Sequence, residues 1–333
     1  QTSAGIKAVY YTYKHNLKEV TYAYKSGEFA YRVTMKRGAI NQLVDINTVE
    51  RAPAVGDLSG AVWTPVAGAV NIQTDYLPPM VVRAVANGDD GETMYTGGSH
   101  GSDGSGGGSP TARLVTLAFF ADGALIEKDA EGYADACQLM LVNRLMGCNT
   151  IATGRYIVQQ AFGIELTAAG MDIHSRVSGL EDVTVITENG PQAYIGGFMD
   201  TQMLPDSINP VREPLDLSKK SGPREEYPDA WLTLMRSANG TMAAWVDRSF
   251  GAGDGRYVDY RLPYIRGGGT KFYNSIVGGI PTEILKGKSY EWRGGFHFFA
   301  NDAKDGFDTR MAIGVGRKKK VVAVNTDGAS FAV

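Results

Sequence analysis

The 333-residue sequence is poor in several things, and each shortage narrows the reading. Only 2 cysteines are present, Cys137 and Cys148, so no disulfide framework holds the chain; one bridge and two free thiols both stay open. No apolar run approaches the roughly 20 residues needed to cross a bilayer as a helix, so no membrane span is expected. Neither sign of charge dominates. Lys and Arg total 33 against 36 Asp and Glu, and a net charge of −3 gives no pull toward nucleic acid. Cys-x-x-Cys and His-x-His are missing, and the acidic run Asp89, Asp90, Glu92 is a poor calcium loop, so neither metal nor cofactor is expected. Helical periodicity and fixed-length repeats are also lacking, which argues against a propeller or solenoid.

What the chain has is glycine, tyrosine and alternation, with 42 Gly and 17 Tyr. In Glu28 to Lys36 every second residue is large and apolar, the pattern of a half-buried strand, with Ile6–Tyr13 and Leu17–Tyr24 as its expected partners. Further strands are expected at 60–66, 80–86, 111–120, 134–144, 155–166 and 182–187, then through 230–236, 241–248, 271–276 and 289–299. The class is all-β. The expected organisation is one large domain over 1–333, with 1–86 as an N-terminal strand subregion. The Pro- and Lys-rich stretch 200–228 is expected to run over the surface.

Met171 to Val177 carries the chemistry. Met171, Ile173 and Val177 point one way, while Asp172, His174 and Arg176 point the other, about 7 Å apart along a strand. Solvated strand faces usually carry Thr, Lys and Glu; this one carries an acid, an imidazole and a guanidinium. Ser289 to Phe299 repeats the theme, with Tyr290, Trp292, Phe296 and Phe298 on one face and Glu291, Arg293 and His297 on the other. Residues 87–110 form a long glycine-rich loop, and loops of that length are functional or disordered. Met94, Tyr95 and the isolated His100 interrupt its linker composition. The strand that follows holds one charge, Arg113. Asn143 and Asn149 flank a turn at Met146-Gly147-Cys148 and are candidate ligand contacts.

From Arg113 onward the order of elements resembles the galactose mutarotase-like β-sandwich superfamily. The likeness rests on Gly163 to Val185, two strands paired across Leu180-Glu181-Asp182, followed by Glu188-Asn189-Gly190-Pro191-Gln192-Ala193-Tyr194. It rests also on the Asn143…Asn149-Thr150 turn and on the closing Leu285 to Gly294. The resemblance implies a large antiparallel two-sheet sandwich (a super-sandwich) with long loops and a sugar on its concave face. An Asn-His-Ser/Thr-Tyr-Phe element expected of an aldose epimerase is replaced here by Glu188 to Gln192. The likeness is therefore to the polysaccharide lyases of the superfamily, and the Thr96 to Gly101 element and the Tyr290 to Gly294 ending also resemble segments of phage-tail or surface glycan-degrading proteins.

A lyase on a uronic-acid glycan must neutralise a carboxylate, remove the C5 proton and protonate the departing O4. Arginine suits the first task through a two-pronged grip, and histidine the second because its usual pKa near 6.5 leaves much of it neutral at pH 7. The expected catalytic residues are His100, His174, Tyr95 and Tyr194; the expected substrate-binding residues are Arg113, Arg176, Asn143 and Arg293. A polysaccharide is the expected partner, outside the cell or on a virion, with an oligomer possible. Two alternatives stand beside this reading. One is a non-catalytic glycan-binding or structural module. The other is a glycoside hydrolase using carboxylates such as Asp172, Glu181 and Asp182. A chain beginning at Gln1 fits a processed secreted protein or a piece of a longer one.

Overall fold

The computed structural model describes residues 8–66, 78–89, 93–194, 197–198, 201–203, 232–247, 250–254, 264–268, 271–278, 280–301, 323–324 and 330–331. The chain first lays down β1 (Val9–Lys14), β2 (Glu19–Ser26), β3 (Phe29–Gly38), β4 (Leu43–Pro53) and the two-residue β5 (Thr64–Pro65). After β6 (Met80–Ala84) come β7 (Ala112–Ala121), β8 (Ala124–Leu125), β9 (Ala130–Ala134), β10 (Cys137–Met146), β11 (Tyr156–Thr167), β12 (Gly170–Gly179) and β13 (Val183–Tyr194). Then follow β14 (Thr201–Met203), β15 (Leu232–Ser237), β16 (Gly240–Val246), β17 (Tyr264–Gly268), β18 (Lys271–Val277), β19 (Thr282–Ile284) and β20 (Ser289–Phe299).

The expected antiparallel β-sandwich is present, with its second layer divided between two sheets. One layer is a nine-stranded sheet, ordered β14-β15-β16-β20-β12-β11-β10-β7-β8. Against it pack a six-stranded sheet, β5-β4-β3-β2-β1-β9, and a five-stranded one in which β13 is flanked by β18, β19 and β6. A large apolar core runs through all of them. Alternation explains the contact: Tyr11, Tyr13, Tyr22, Tyr24, Tyr31, Val33 and Met35 are all buried, each on the inward parity of its strand. Burying a tyrosine leaves its hydroxyl needing a partner. The Tyr24 hydroxyl donates to the Phe298 carbonyl at 2.6 Å and that of Tyr31 to the Asn239 carbonyl at 2.8 Å, tying the layers together.

Two expectations change. Residues 60–66 hold only β5, after a 3-10 turn at Leu58–Gly60, because Asp57 caps that turn instead of extending the strand. The strands on either side of Leu180-Glu181-Asp182 are not paired. β12 lies between β11 and β20, whereas β13 pairs with β6, β18 and β19, so the chain crosses here from one layer to the other. Both cysteines are free; Cys137 is buried among apolar neighbours, and desolvation pushes its thiol up to about 12. The excursion expected at 200–228 lies outside the described residues apart from β14.

The glycine-rich loop is built, not slack. The Gly101 amide donates to the Ser105 carbonyl, the Ser102 amide to that of Ser109, and Asp103 accepts from the Ser105 and Gly107 amides. At Gly97, with φ +76°, an added Cβ would sit 2.6 Å from the buried Leu145 side chain, so only glycine lets the loop press this closely on the core.

Candidate functional site

The outward face of the nine-stranded sheet gathers the polar parities of two neighbouring strands. In the antiparallel register of β12 and β20, His174 stands opposite Arg293, Arg176 opposite Glu291, and Asp172 opposite Gly295. Met171, Ile173 and Val177 point into the core with Tyr290, Trp292, Phe296 and Phe298, as the alternation predicts.

Glu291 is the hub of this face. One carboxylate oxygen meets His174 Nε2 at 2.9 Å, and the other accepts from Arg176 Nε at 2.6 Å. These contacts hold the Glu291 carboxyl below its ordinary value, the bond with His174 first and the Arg176 guanidinium after it, against an opposing desolvation. The result is an ionised acid orienting an imidazole. Phe250 closes over this group: its ring meets the His174 ring edge-on at 5.3 Å, and the Arg293 guanidinium carbon lies 3.9 Å from its centroid. His174 is left with 5% exposure, and no partner for its Nδ1 occurs among the described residues.

A second imidazole–carboxylate pair lies further along the same two strands. His297 Nε2 meets Asp172 at 3.1 Å, and the Trp245 ring stands edge-on to His297 at 6.2 Å. Trp245 Nε1 is buried without a hydrogen-bond partner among the described residues. Gly170, with φ +127°, faces the His297 ring so closely that a Cβ would lie 2.4 Å from it. A side chain there would push His297 away from Asp172.

Of the eight residues expected from sequence, His174, Arg176 and Arg293 come together. Arg113 shares their outward parity, in a row running through Arg144, Gln159 and Ser178, but it lies three strands from β12, roughly 14 Å away. Its guanidinium sits 4.6 Å from the Tyr156 ring instead. His100 and Tyr95 pair with each other, ring centroids 5.2 Å apart, at another place. His100 Nδ1 contacts the Gly104 carbonyl, and the Tyr95 hydroxyl accepts from Asn189 Nδ2 at 3.4 Å. The loop carrying them is pinned beside Thr111 and Leu145, about 17 Å along β10 from the row that holds His174. The two histidines thus do not share a cleft.

Asn143 is not a surface contact at all. It is 1% exposed on the inward face of β10, opposite the equally buried Gln160. The side chain of Tyr194 lies outside the described residues. Asn149 ties a loop, accepting from the Ala84 amide and donating to the Ala84 carbonyl. The carboxylates considered for a hydrolase also separate: Glu181 pairs with Arg155 and Asp182 accepts from the Lys286 amide, both at the turn beyond β12.

Sequence reasoning placed Glu291 and His297 on the right face without recognising that their partners were His174 and Asp172. Phe250 was not singled out, and Glu188 was given no role of its own. Glu188 on β13 is fully buried beneath the site, where it accepts from the Tyr290 hydroxyl at 2.5 Å and from Trp292 Nε1 at 2.8 Å. Desolvation raises its carboxyl to about 7, outweighing two hydrogen bonds that favour the anion. A polar position in β13 paired with an apolar strand was the available signal. No group of three or more metal-ligating side chains occurs among the described residues.

No family model matches the sequence, and no curated protein matches it. Among solved structures, the chain is similar to a galactose mutarotase-like protein from Clostridium acetobutylicum. That match covers 87% of this chain and 98% of that one, at 10% identity and a TM-score of 0.37.

Proposed function

We propose that the protein is carbohydrate-active and takes an acidic, uronic-acid-containing glycan on the outward face of its nine-stranded sheet, cleaving it by β-elimination. The observation that carries this reading is the Glu291-oriented His174 standing between Arg176 and Arg293. The arginines pair with the uronate carboxylate, which acidifies the neighbouring C5–H. His174 takes that proton, the C–H electrons become the C4–C5 double bond, and O4 leaves with a proton from solvent. Arg144 and Arg113 extend the basic character of the face away from β12, as a polymeric anion requires. The setting we propose is extracellular or virion-borne.

The experiment is incubation with alginate, polygalacturonate, hyaluronan and heparin while following ultraviolet absorbance of unsaturated ends. His174→Ala and Glu291→Gln should each lower the rate at least 100-fold with the fold retained. Absence of signal on every polymer would sink the elimination reading.

A second reading rests on the 5% exposure of His174 under Phe250. In it the face binds an acidic glycan without turning it over. Binding of the same polymers that survives His174→Ala, weakens at least tenfold in Arg176→Ala, and is never accompanied by absorbance would select it.

A further inference from the structure

The six-stranded sheet carries a second outward face, and its rows are regular. Thr12 stands opposite Thr21, Thr21 opposite Thr34, and Thr34 opposite Thr48, so one threonine from each of β1 to β4 lies in a single line across the sheet. Thr21 and Thr34 hydroxyls are 3.1 Å apart. Glu131 of β9 continues the line beyond Thr12. Adjacent strands are about 4.8 Å apart, so the five positions span roughly 19 Å.

The neighbouring row forms a wall. Tyr133 and Tyr10 are opposite one another with rings 5.1 Å apart, and at the far side Arg32 lies under the Trp63 ring at 4.9 Å. Three of these residues are fixed by carboxylates: Tyr133 donates to Asp57, Tyr10 to Glu131 at 3.2 Å, and Arg32 to Glu50 at 2.7 Å. Thr12, Thr21 and Thr34 with Tyr10, Arg32 and Glu131 line a concavity of about 600 Å³, within the range of ligand sites.

We infer that this groove is a binding site for an uncharged, hydroxyl-rich chain, a neutral oligosaccharide. A threonine hydroxyl both donates and accepts, so a line of them at strand spacing meets a row of sugar hydroxyls of either polarity. The Tyr10 ring, which lines the groove, offers an apolar face to the C–H side of a pyranose at little cost in side-chain freedom. Charge selects against acidic sugars. Lys14 and Arg32 are already paired with Glu19 and Glu50, and the carboxylates of Glu131 and Asp129 also border the groove. The face with His174 and its arginines has the opposite preference, so this site stands whether or not that one is catalytic.

Calorimetric titration of the full chain with cellohexaose, maltohexaose, xylohexaose and mannohexaose tests it. At least one should bind with a Kd below 1 mM. Its affinity should fall at least tenfold in Thr21→Val/Thr34→Val, which keeps shape and strand preference while deleting two hydroxyls. Tyr10→Ala should do the same, and His174→Ala should leave binding unchanged. Thermal melts at the wild-type temperature establish that the threonine double variant is folded. No binding by any of the four, binding indifferent to the threonine substitutions, or binding lost with His174 would each overturn the inference.

Discussion

Glu188 and Tyr290 meet at 2.5 Å between the layers, directly under the strand that presents Glu291 and Arg293 on its other side. Trp292 donates to the second oxygen of the same carboxylate. One buried acid thus grips two alternate residues of β20, and the residue between them, Glu291, is the hub of the candidate site.

That burial makes stability depend on pH in a specific direction. The Glu188 carboxyl moves from about 4.5 when exposed to about 7 in the fold. The neutral acid therefore favours the folded state in full below pH 4.5, and the advantage is lost as pH rises through about 7. Its size is on the order of 3 kcal/mol. Glu188→Gln removes the titration. Chemical denaturation from pH 5 to 8 should show wild type losing stability relative to the Gln variant as pH rises; parallel curves would mean that Glu188 is not held neutral.

Glu291 pulls the other way. Its folded carboxyl lies below the ordinary value, so its contribution is present above about pH 4.5 and is lost as pH falls through the folded value. The side chain is 22% exposed, and screening reduces what the two contacts are worth. Glu291→Gln should cost about 1 kcal/mol at pH 7 and less at pH 3, measured by urea denaturation at both. An equal loss at both values would assign the effect to packing.

Period-two alternation made most of the strands, the class and the polar parities of β12 and β20 readable, because that signal is local. Partner choice was not. Glu291 is 117 positions from His174, and nothing in either segment says that β20 lies beside β12 rather than β13. The Leu180-Glu181-Asp182 turn looked like a hairpin because turn chemistry is the same whether the chain returns to its own sheet or crosses to the other. His100 was misplaced for a similar reason: its loop is aimed by Asn41, 59 residues earlier. Phe250 lies in a non-repeating segment and left no periodic trace.

Asn143 shows how a misread polar residue yields a test. A shift in register between Val142 and Asn143 accompanies its inward placement between the core residues Leu141 and Leu145, and its Oδ1 has no hydrogen-bond partner among the described residues. A buried acceptor left unsatisfied costs about 1–3 kcal/mol. Asn143→Leu, similar in volume, should raise the urea midpoint by the equivalent of about 1 kcal/mol and leave glycan binding untouched. A loss of stability would show that the amide is needed where it is.

Asn41 is the anchor of the glycine-rich loop. Its Nδ2 donates to the Gly98 and His100 carbonyls at 2.9 and 2.8 Å, while its Oδ1 accepts from the Thr111 and Ala112 amides at 2.7 and 3.0 Å. One side chain, 4% exposed, therefore brackets both ends of the loop. Asn41→Ala leaves those amides and carbonyls short of a partner in a place water reaches poorly, at a cost of about 2–4 kcal/mol. The expected loss is local, because the loop lies outside the strand ladders and opens without them. Hydrogen exchange at Thr111 and Ala112 should accelerate about 30- to 1,000-fold, while exchange at Ile173 in β12 stays unchanged. Equal acceleration at all three would instead make the loop part of the global folding unit, with Asn41 supporting the whole sandwich.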